Sequence, residues 1–215
     1  MQGRTEQPRP YRSDLRQRQA EETRQRVVQA ALMLFGSRGY RATTYADLAA
    51  EAGVSVKTVQ EHGPKAALLQ AAVELASFGV EGEEDFFATA LGRTLGAVQD
   101  PDEFGVMLGA VMLAVNAPSA GIWMTFASAA HGDRELTRVR ARMLGLIRSQ
   151  VEHVLGWVDS RGWLRGDVPF DDLVEAACII TGVETYVRFV EEDGRSPDQY
   201  RTFVARSVRE TVLAP

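Results

Sequence analysis

The sequence predicts an all-α fold of about ten helices, because apolar residues recur at helical spacing along most of its 215 residues. No segment between turns alternates convincingly between apolar and polar residues, which is the pattern of a half-buried strand. Glycine and proline separate the periodic segments from one another. The pattern favours a small three-helix head at the amino-terminal end that is continuous with a larger helical bundle.

The amino-terminal end divides into a polar arm and a first helix. Residues 1–20 contain five arginines and two prolines, and this composition predicts a basic arm that is disordered on its own. From about Glu21 to Ser37, apolar residues such as Ala31 and Phe35 fall on one face at helical spacing. The head is therefore expected to begin near residue 21.

The segment from Thr44 to Lys65 reads TYADLAAEAGVSVKTVQEHGPK and predicts two short helices joined by a tight turn. Gly53 stands where the turn needs a positive φ, which costs glycine almost nothing. Ser55 is placed to cap the second helix, which is expected to end at about Glu61. Two helices joined in this way form a helix-turn-helix, whose second helix enters the DNA major groove.

The chain beyond Lys65 is predicted to form a helical body without a flexible linker to the head. Pro118 is expected to break a long apolar run into two helices. Asp133 is expected to cap a long amphipathic helix. The predicted body helices are 66–81, 83–98, 101–117, 119–131, 134 onward, 170–192 and 196–214. The predicted divisions of the chain are an arm at 1–20, a helix-turn-helix head at 21–66 and a helical body at 67–215.

Charge is distributed unevenly along the chain. Residues 1–65 hold 11 basic and 7 acidic side chains, whereas the remainder holds 13 basic and 22 acidic ones. A basic end on an acidic body is typical of a module that binds a polyanion, although chance asymmetry is the alternative.

Several other classes of protein are disfavoured. The amino-terminal segment lacks the apolar stretch of a secretory signal, and the apolar runs are far shorter than the ~20 residues that cross a bilayer. We therefore expect a cytoplasmic protein without membrane association. Cys178 is the only cysteine, which excludes an internal disulfide. No catalytic, metal-binding or cofactor-binding motif is found, so we predict neither an enzyme nor a cofactor.

The residues around the helix-turn-helix resemble the amino-terminal domain of TetR-family transcriptional regulators. The shared elements are Ala31, Phe35-Gly36, Gly39-Tyr40, Thr43-Thr44, Asp47-Leu48-Ala49, Ala52-Gly53-Val54-Ser55, Thr58, Lys65 and Leu68-Leu69. The rest of the chain resembles the family only in length and helical content. The resemblance implies a homodimer that reads a palindromic operator in double-stranded DNA. It also implies repression of transcription that a small-molecule effector relieves.

The second helix departs from the family pattern in two ways. Gln60 stands where the family often has tyrosine, and the aromatic residue that commonly precedes the lysine is absent. The segment before Lys65 is therefore one residue short. We expect His62 or Val59 to cover the vacated core position.

The predicted DNA contacts form two groups. Base contacts are expected from the exposed side of the second helix, where Lys57 can donate to guanine and Gln60 can pair with adenine. The base-contact candidates are Val56, Lys57 and Gln60. Hydroxyls, helix N-termini and charge predict the phosphate contacts. The phosphate candidates are Thr44, Ser55, Thr58 and Lys65, with Arg12, Arg16 and Arg18 of the arm as further ones. The alternatives are solvated surface, or simple helix caps for the two hydroxyls that begin helices.

Methionine and aromatic side chains are frequent in the body and can line an adaptable apolar pocket. Because such residues more often form ordinary core, the predicted effector site is a region with several candidates. These candidates are Phe87, Met107, Met112, Trp123, Phe126 and Met143. The last two helices, 170–192 and 196–214, resemble the pair that forms the dimer interface in the family. The apolar middle of the first could instead lie inside one subunit.

Two other functions stay open at this level. The first is an interaction protein of the same fold that does not bind DNA, which Gln60, Glu61 and the missing aromatic residue favour. The second is an all-helical enzyme with an accessory head, which no motif supports.

Overall fold

The computed structural model describes residues 11–79, 81 and 85–215. In this part of the chain the all-α prediction is confirmed. The α-helices are α1 (Tyr11–Arg38), α2 (Tyr45–Ala52), α3 (Val56–Glu61), α4 (Lys65–Phe78), α5 (Ala90–Gly96), α6 (Pro101–Ala130), α7 (Arg134–Asp159), α8 (Phe170–Thr181), α9 (Val183–Tyr186) and α10 (Pro197–Thr211). A 3-10 turn at Phe86–Ala88 precedes α5, and a π-helical turn at Val187–Glu192 follows α9.

The first helix begins at Tyr11, about ten residues before the predicted start. The prediction of a disordered arm is therefore wrong for residues 11–20, while residues 1–10 lie outside the described residues. The physical reason is local, because the sequence between Pro10 and Gly36 contains no glycine or proline and is rich in arginine, glutamine and glutamate. Such residues are strong helix formers even on an exposed helix.

Helix α6 is continuous across Pro118, so the predicted break at this residue is wrong. A proline inside a helix removes one backbone hydrogen bond and costs about 3 kcal/mol. Burial on both sides of Pro118 offsets this cost, since Phe104, Trp123 and Phe126 are all inside the core. Tertiary packing therefore overrides the local preference of the proline.

The apolar runs of the sequence were expected to be too short to cross a membrane, and the uninterrupted α6 changes this expectation. By length and apolar character alone it is long enough to cross a membrane, and it is the single such helix in the described part of the chain. Half of its most apolar window is buried inside the protein, and core helices of soluble proteins meet the same test.

The predicted helix 170–192 is interrupted at Gly182. Its backbone is extended there, with φ −61° and ψ 148°, so α8 ends and α9 begins as a separate short helix. A Cβ at this position would lie 2.9 Å from the carbonyl oxygen of Cys178. Gly182 therefore allows the tight backbone break between α8 and α9, where a larger residue would overlap with the end of α8. The predicted helix 83–98 is likewise shorter, because its described part consists of the 3-10 turn and α5.

Two hydrophobic clusters form the core. The first joins the head to α4, to the second half of α6 and to the start of α7, and it includes Leu48, Leu69, Phe126 and Leu136. The second fills the rest of the body between α5, α6, α8 and α10. The head thus shares one continuous core with the body, which makes a rigid connection between them.

Helices α6 and α10 approach closely because two glycines of α6 face α10. A Cβ on Gly109 would lie 2.4 Å from the carbonyl oxygen of Arg201, and one on Gly105 would lie 3.3 Å from that of Ala205. The first distance is a severe overlap with backbone, which cannot move aside as a side chain can.

We predict that Gly109→Ala lowers the free energy of unfolding by about 2 kcal/mol or more, because α6 and α10 would be forced apart. Gly121→Ala in the same helix is the matched control, since no atom lies within 4 Å of the added methyl group. Its higher helix propensity should raise stability by about 1 kcal/mol. Urea denaturation measures both, and equal effects of the two substitutions would contradict the close crossing.

Candidate nucleic-acid interface and ligand cavity

The first helix of the helix-turn-helix is held at both ends by local hydrogen bonds. The Thr44 hydroxyl accepts from the Asp47 backbone N–H at 3.1 Å, and the Thr44 N–H donates to the Asp47 carboxylate at 2.8 Å. The Thr44 hydroxyl also donates to the Asp47 carboxylate at 2.6 Å, and this bond, together with the one from the Thr44 N–H, lowers the pKa of the Asp47 carboxyl. Gly53 ends α2 with φ 64°, the left-handed conformation that the turn requires. The predicted capping box and glycine turn are both present.

Helix α3 presents an anchored side and an exposed side. The Ser55 hydroxyl caps it by accepting from the Thr58 N–H at 3.0 Å. Val59 is fully buried against the head, whereas the side chain of Lys57 is 86% exposed. Val56 and Gln60 are also exposed, so all three base-contact candidates lie on the outward side. Thr58 is half-buried, and its hydroxyl lies 2.8 Å from that of Ser55.

Lys65 points into the head. Its ammonium donates to the carbonyl oxygens of Tyr40 at 2.7 Å and Thr43 at 2.8 Å, and it lies 4.2 Å from the centre of the Tyr40 ring. The Lys65 backbone N–H donates to the Tyr45 hydroxyl at 2.8 Å. Burial lowers the pKa of Lys65. Two of its three ammonium protons are therefore committed to the fold, and a phosphate contact would use the third.

Thr43 is a residue whose role the sequence did not predict. It is completely buried, and its hydroxyl donates to the Gly39 carbonyl oxygen at 2.9 Å, with that of Leu34 at 3.2 Å. Thr43 thus connects the end of α1 to the turn that leads into α2, while its own carbonyl holds Lys65. The sequence held one signal for this role: two threonines stand side by side, and because Thr44 alone caps α2, Thr43 is available for another function.

Arg24 connects α1 to the end of α3 and to the segment after α4. Its guanidinium donates to the His62 carbonyl oxygen at 2.5 Å and makes a two-bond ion pair with the Glu81 carboxylate. His62 itself is only half-buried, and Val59 is the fully buried side chain near the missing aromatic position. The carbonyl groups at a helix end carry partial negative charge, so Arg24 stabilises the shortened end of α3.

Three arginines near the amino-terminal end were candidates for further phosphate contacts, and the structure describes the side chains of some of them. Arg16 and Arg18 are exposed on α1, whereas the side chain of Arg12 lies outside the described residues. Arg38 and Arg41 are exposed near the start of α2, and Arg38 lies 3.6 Å from Asp47.

A cavity of about 540 Å³ lies in the body beside α4, α6, α7 and α8. Its volume suits a drug-sized ligand. On α7, Leu144, Leu146 and Ile147 line the cavity and are also exposed, so this side of the cavity opens to solvent.

Half of the effector candidates from the sequence line this cavity. Met112, Trp123 and Met143 do so. The other three, Phe87, Met107 and Phe126, are not part of the described lining. Phe126 is fully buried against the Trp123 ring, and Phe87 packs on Trp157, so both are core residues.

The polar lining residues were not predicted from the sequence. Gln70, Glu74, Ser77 and Glu81 line the cavity from α4 and the segment that follows it, and Glu184 lines it from α9. Trp123 Nε1 donates to the Glu184 carboxylate at 2.8 Å, and Arg140 donates to the same oxygen at 3.2 Å. The spacing of Gln70, Glu74 and Ser77 in the sequence indicates that they share one side of α4, but only the fold shows that this side faces a cavity. Among the described residues, no group of three His, Cys, Asp or Glu side chains is arranged to hold a metal ion.

We predict that Lys65→Met lowers the free energy of unfolding by about 2 kcal/mol or more, since it removes two charged hydrogen bonds to backbone carbonyls. Lys57→Met is the matched control and should leave stability within about 0.5 kcal/mol, because this lysine is exposed. We call the bonds of Lys65 to Tyr40, Thr43 and Tyr45 the Lys65 clamp. Thermal or urea denaturation of the two variants measures whether these bonds stabilise the head. Unchanged stability of Lys65→Met would contradict the clamp.

Comparisons with known proteins are consistent with this geometry. The sequence model of the family described as "Bacterial regulatory proteins, tetR family" matches residues 27–72, from α1 into α4. No curated protein matches the sequence of the chain.

Similar solved structures cover almost the whole chain. A protein of Saccharomonospora viridis described as a transcriptional regulator, in complex with choline, is 19% identical over 91% of this chain and 100% of its own, with a TM-score of 0.66. NalD of Pseudomonas aeruginosa, a secondary repressor of the MexAB-OprM multidrug efflux pump, is 15% identical over 90% and 98%, with a TM-score of 0.65. SmeT in complex with triclosan is 18% identical over 89% and 92%, with a TM-score of 0.66. At these identities the likeness shows a shared fold. The head of the chain is thus similar in sequence to TetR-family regulators, and the chain as a whole shares their fold.

Proposed function

We propose that the protein is a sequence-specific DNA-binding transcriptional regulator whose body binds a small, largely apolar effector. The observation that carries the proposal is the orientation of α3. Val59 anchors the helix to the head, and Val56, Lys57 and Gln60 stand exposed on the other side. An anchored helix with exposed polar side chains can enter a major groove without unfolding any other part of the head.

Lys57 and Gln60 supply the base-reading chemistry in this proposal. Lys57 lies 3.8 Å from Glu61 on the same helix, and both side chains are well exposed. An exposed pair of this kind is worth only about 0.5 kcal/mol. The pair can therefore open when Lys57 meets a guanine, and Glu61 can turn away from the DNA.

Phosphate contacts come from the ends of the helices. Thr44 and Ser55 are exposed at the N-termini of α2 and α3, where backbone N–H groups favour an anion. Thr58 contributes its half-buried hydroxyl beside Ser55, and Lys65 contributes its third ammonium proton. Both capping hydroxyls are already engaged within the head, so they serve the fold and the phosphate together.

The cavity beside α4 is the proposed effector site. Its volume of about 540 Å³ and mostly apolar lining suit a small organic molecule. Two proteins of the same fold have been solved with small molecules, one with choline and one with triclosan. Helix α4 both lines the cavity and begins at the Lys65 clamp of the head. An effector that prefers a different position of α4 therefore shifts the head by its differential affinity for the two positions.

We also propose a homodimer through 170–192 and 196–214, in which two α3 helices enter successive major grooves of a palindromic operator about 34–36 Å apart. Ile179 on α8 is 62% exposed, and an apolar side chain of this size on a helix surface favours contact with a second subunit. Ala177 of α8 lines the cavity of its own subunit, so it is not part of the proposed interface. Repression and a cytoplasmic location complete the proposal, and the similar fold of the repressor NalD supports the first.

Fluorescence anisotropy on DNA from the upstream region of the protein's own gene tests DNA binding. Affinity should fall steeply with salt, because bound phosphates release counterions. Lys57→Ala should weaken specific sites by roughly 1–3 kcal/mol and random DNA much less. Arg142→Ala, which removes an exposed positive charge of the body on α7, outside the head and the proposed dimer interface, is the control and should change neither. Absent or salt-insensitive binding would favour an interaction protein that does not bind DNA.

Sedimentation velocity tests the dimer. Ile179→Asp should convert a dimer at micromolar concentration into a monomer, because the aspartate would be buried without a partner. Val106→Asp is the matched control, since Val106 is 65% exposed on α6, outside the proposed interface. A wild-type monomer, or an unchanged dimer of the Ile179 variant, would place the interface elsewhere.

A further inference from the structure

The cavity has an asymmetric distribution of polar groups. Gln70, Glu74 and Ser77 are spaced by four and three residues on α4, the spacing at which side chains share one side of a helix, and Glu81 lines the cavity from the segment after the helix. They form a polar stripe on α4 and just beyond it. The other polar lining residues are spread over four helices, and they are Asn116, Ser119, Gln150, Thr181 and Glu184. The polar stripe is therefore the one place where several polar side chains of the described lining follow each other along one helix, and that helix begins at Lys65.

The charged groups of the lining are all of one sign. Among the thirty described lining residues there are three carboxylates, Glu74, Glu81 and Glu184, and no lysine, arginine or histidine. Arg24 pairs with Glu81, and Arg140 pairs with Glu184, but neither arginine is a lining residue. Glu74 accepts a hydrogen bond from the Gln70 amide at 2.8 Å. Each carboxylate of the lining thus has a partner within the protein, and the described lining itself contains acidic side chains and no basic one. An anionic ligand would lose its hydration there without compensation.

Aromatic rings add to this preference. Phe78, Phe86 and Trp123 line the same cavity, and the faces of such rings attract cations. The corner formed by Trp123 and Glu184 already holds a cation of the protein. The Arg140 guanidinium lies 5.6 Å from the centre of the Trp123 ring and 3.2 Å from the Glu184 carboxylate.

We infer that the effector is an amphiphilic organic cation, with its apolar part among the side chains of α6 and α7 and its positive group at the polar stripe of α4. The inference rests on the proposed effector site and specifies its ligand class. The apolar cavity supplies binding through burial, and the carboxylates and rings supply the selection for positive charge.

The same arrangement links the ligand to the DNA-reading helix. Glu81 is shared between the cavity and Arg24, and Arg24 also holds the His62 carbonyl at the end of α3. A cation that binds Glu81 competes with Arg24 for the same carboxylate. Occupation of the cavity therefore loosens the support of α3 at its carboxy-terminal end.

Isothermal titration calorimetry with three probes of equal chain length tests the inference at constant ionic strength. The probes are octyltrimethylammonium, 1-octanol and octanoate. The cation should bind on the order of tenfold more tightly than the alcohol, and octanoate should bind most weakly. Equal affinities for the cation and the alcohol would overturn the charge preference while leaving the cavity as an effector site. No binding of any probe would overturn the effector site itself.

Charge-removing variants locate the positive group. Glu74→Gln and Glu81→Gln should each lower the affinity for the cation by about threefold to tenfold and leave that for 1-octanol unchanged. Glu135→Gln is the control, because this exposed glutamate of α7 lies outside the cavity lining and outside the proposed dimer interface. Because Glu81→Gln also loses the Arg24 pair, a thermal melt checks its folding, and Glu74→Gln tests the same stripe without touching that pair. Loss of affinity for both probes in equal measure would overturn the inference.

DNA anisotropy in the presence of the same probes gives an independent readout. The cation should raise the Kd for operator DNA, and octanoate should not. A cation that binds the cavity but leaves DNA affinity unchanged would uphold its selectivity and would contradict the proposed role of the cavity in regulation.

Discussion

The clamp at Lys65 is the interaction on which the rest of the structure depends. Its ammonium is held by two carbonyl oxygens and the ring of Tyr40, and its backbone N–H is bonded to Tyr45. Burial raises the pKa of Tyr40 to about 12, so the phenol stays neutral beneath the ammonium. These bonds fasten the first residue of α4 to the turn that positions α2. Since α4 continues into the body, the orientation of the helix-turn-helix head relative to the body is set at this point.

The shared hydrophobic core extends this connection. Leu68 and Leu69 of α4 are fully buried in the same cluster as Leu48 and Val59 of the helix-turn-helix. That cluster also contains Trp123 and Met143, which line the cavity. Because a close-packed core transmits displacement and does not absorb it, a change in the cavity reaches the head through ordinary van der Waals contacts. Arg24 and Glu81 add a polar connection on the other side of α4.

Sequence reasoning was most successful where hydrogen bonds are local. The turn at Gly53, the cap at Ser55 and the end of α3 at Glu61 agree with the prediction, because the hydrogen bonds of a cap join residues only three apart in the chain. It failed where distant packing competes with a local signal. Pro118 did not break α6, and three of the six effector candidates are not among the described lining residues of the cavity.

The amino-acid sequence by itself determined the helical class, the helix-turn-helix and the outward face of α3, because helical periodicity and caps depend on neighbours a few residues away. Only the tertiary structure decided the direction of Lys65, whose partners lie more than twenty residues earlier in the chain. It also decided which polar residues of α4 face the cavity. The physical reason is that a cavity is a space left between helices, so its lining depends on how those helices pack.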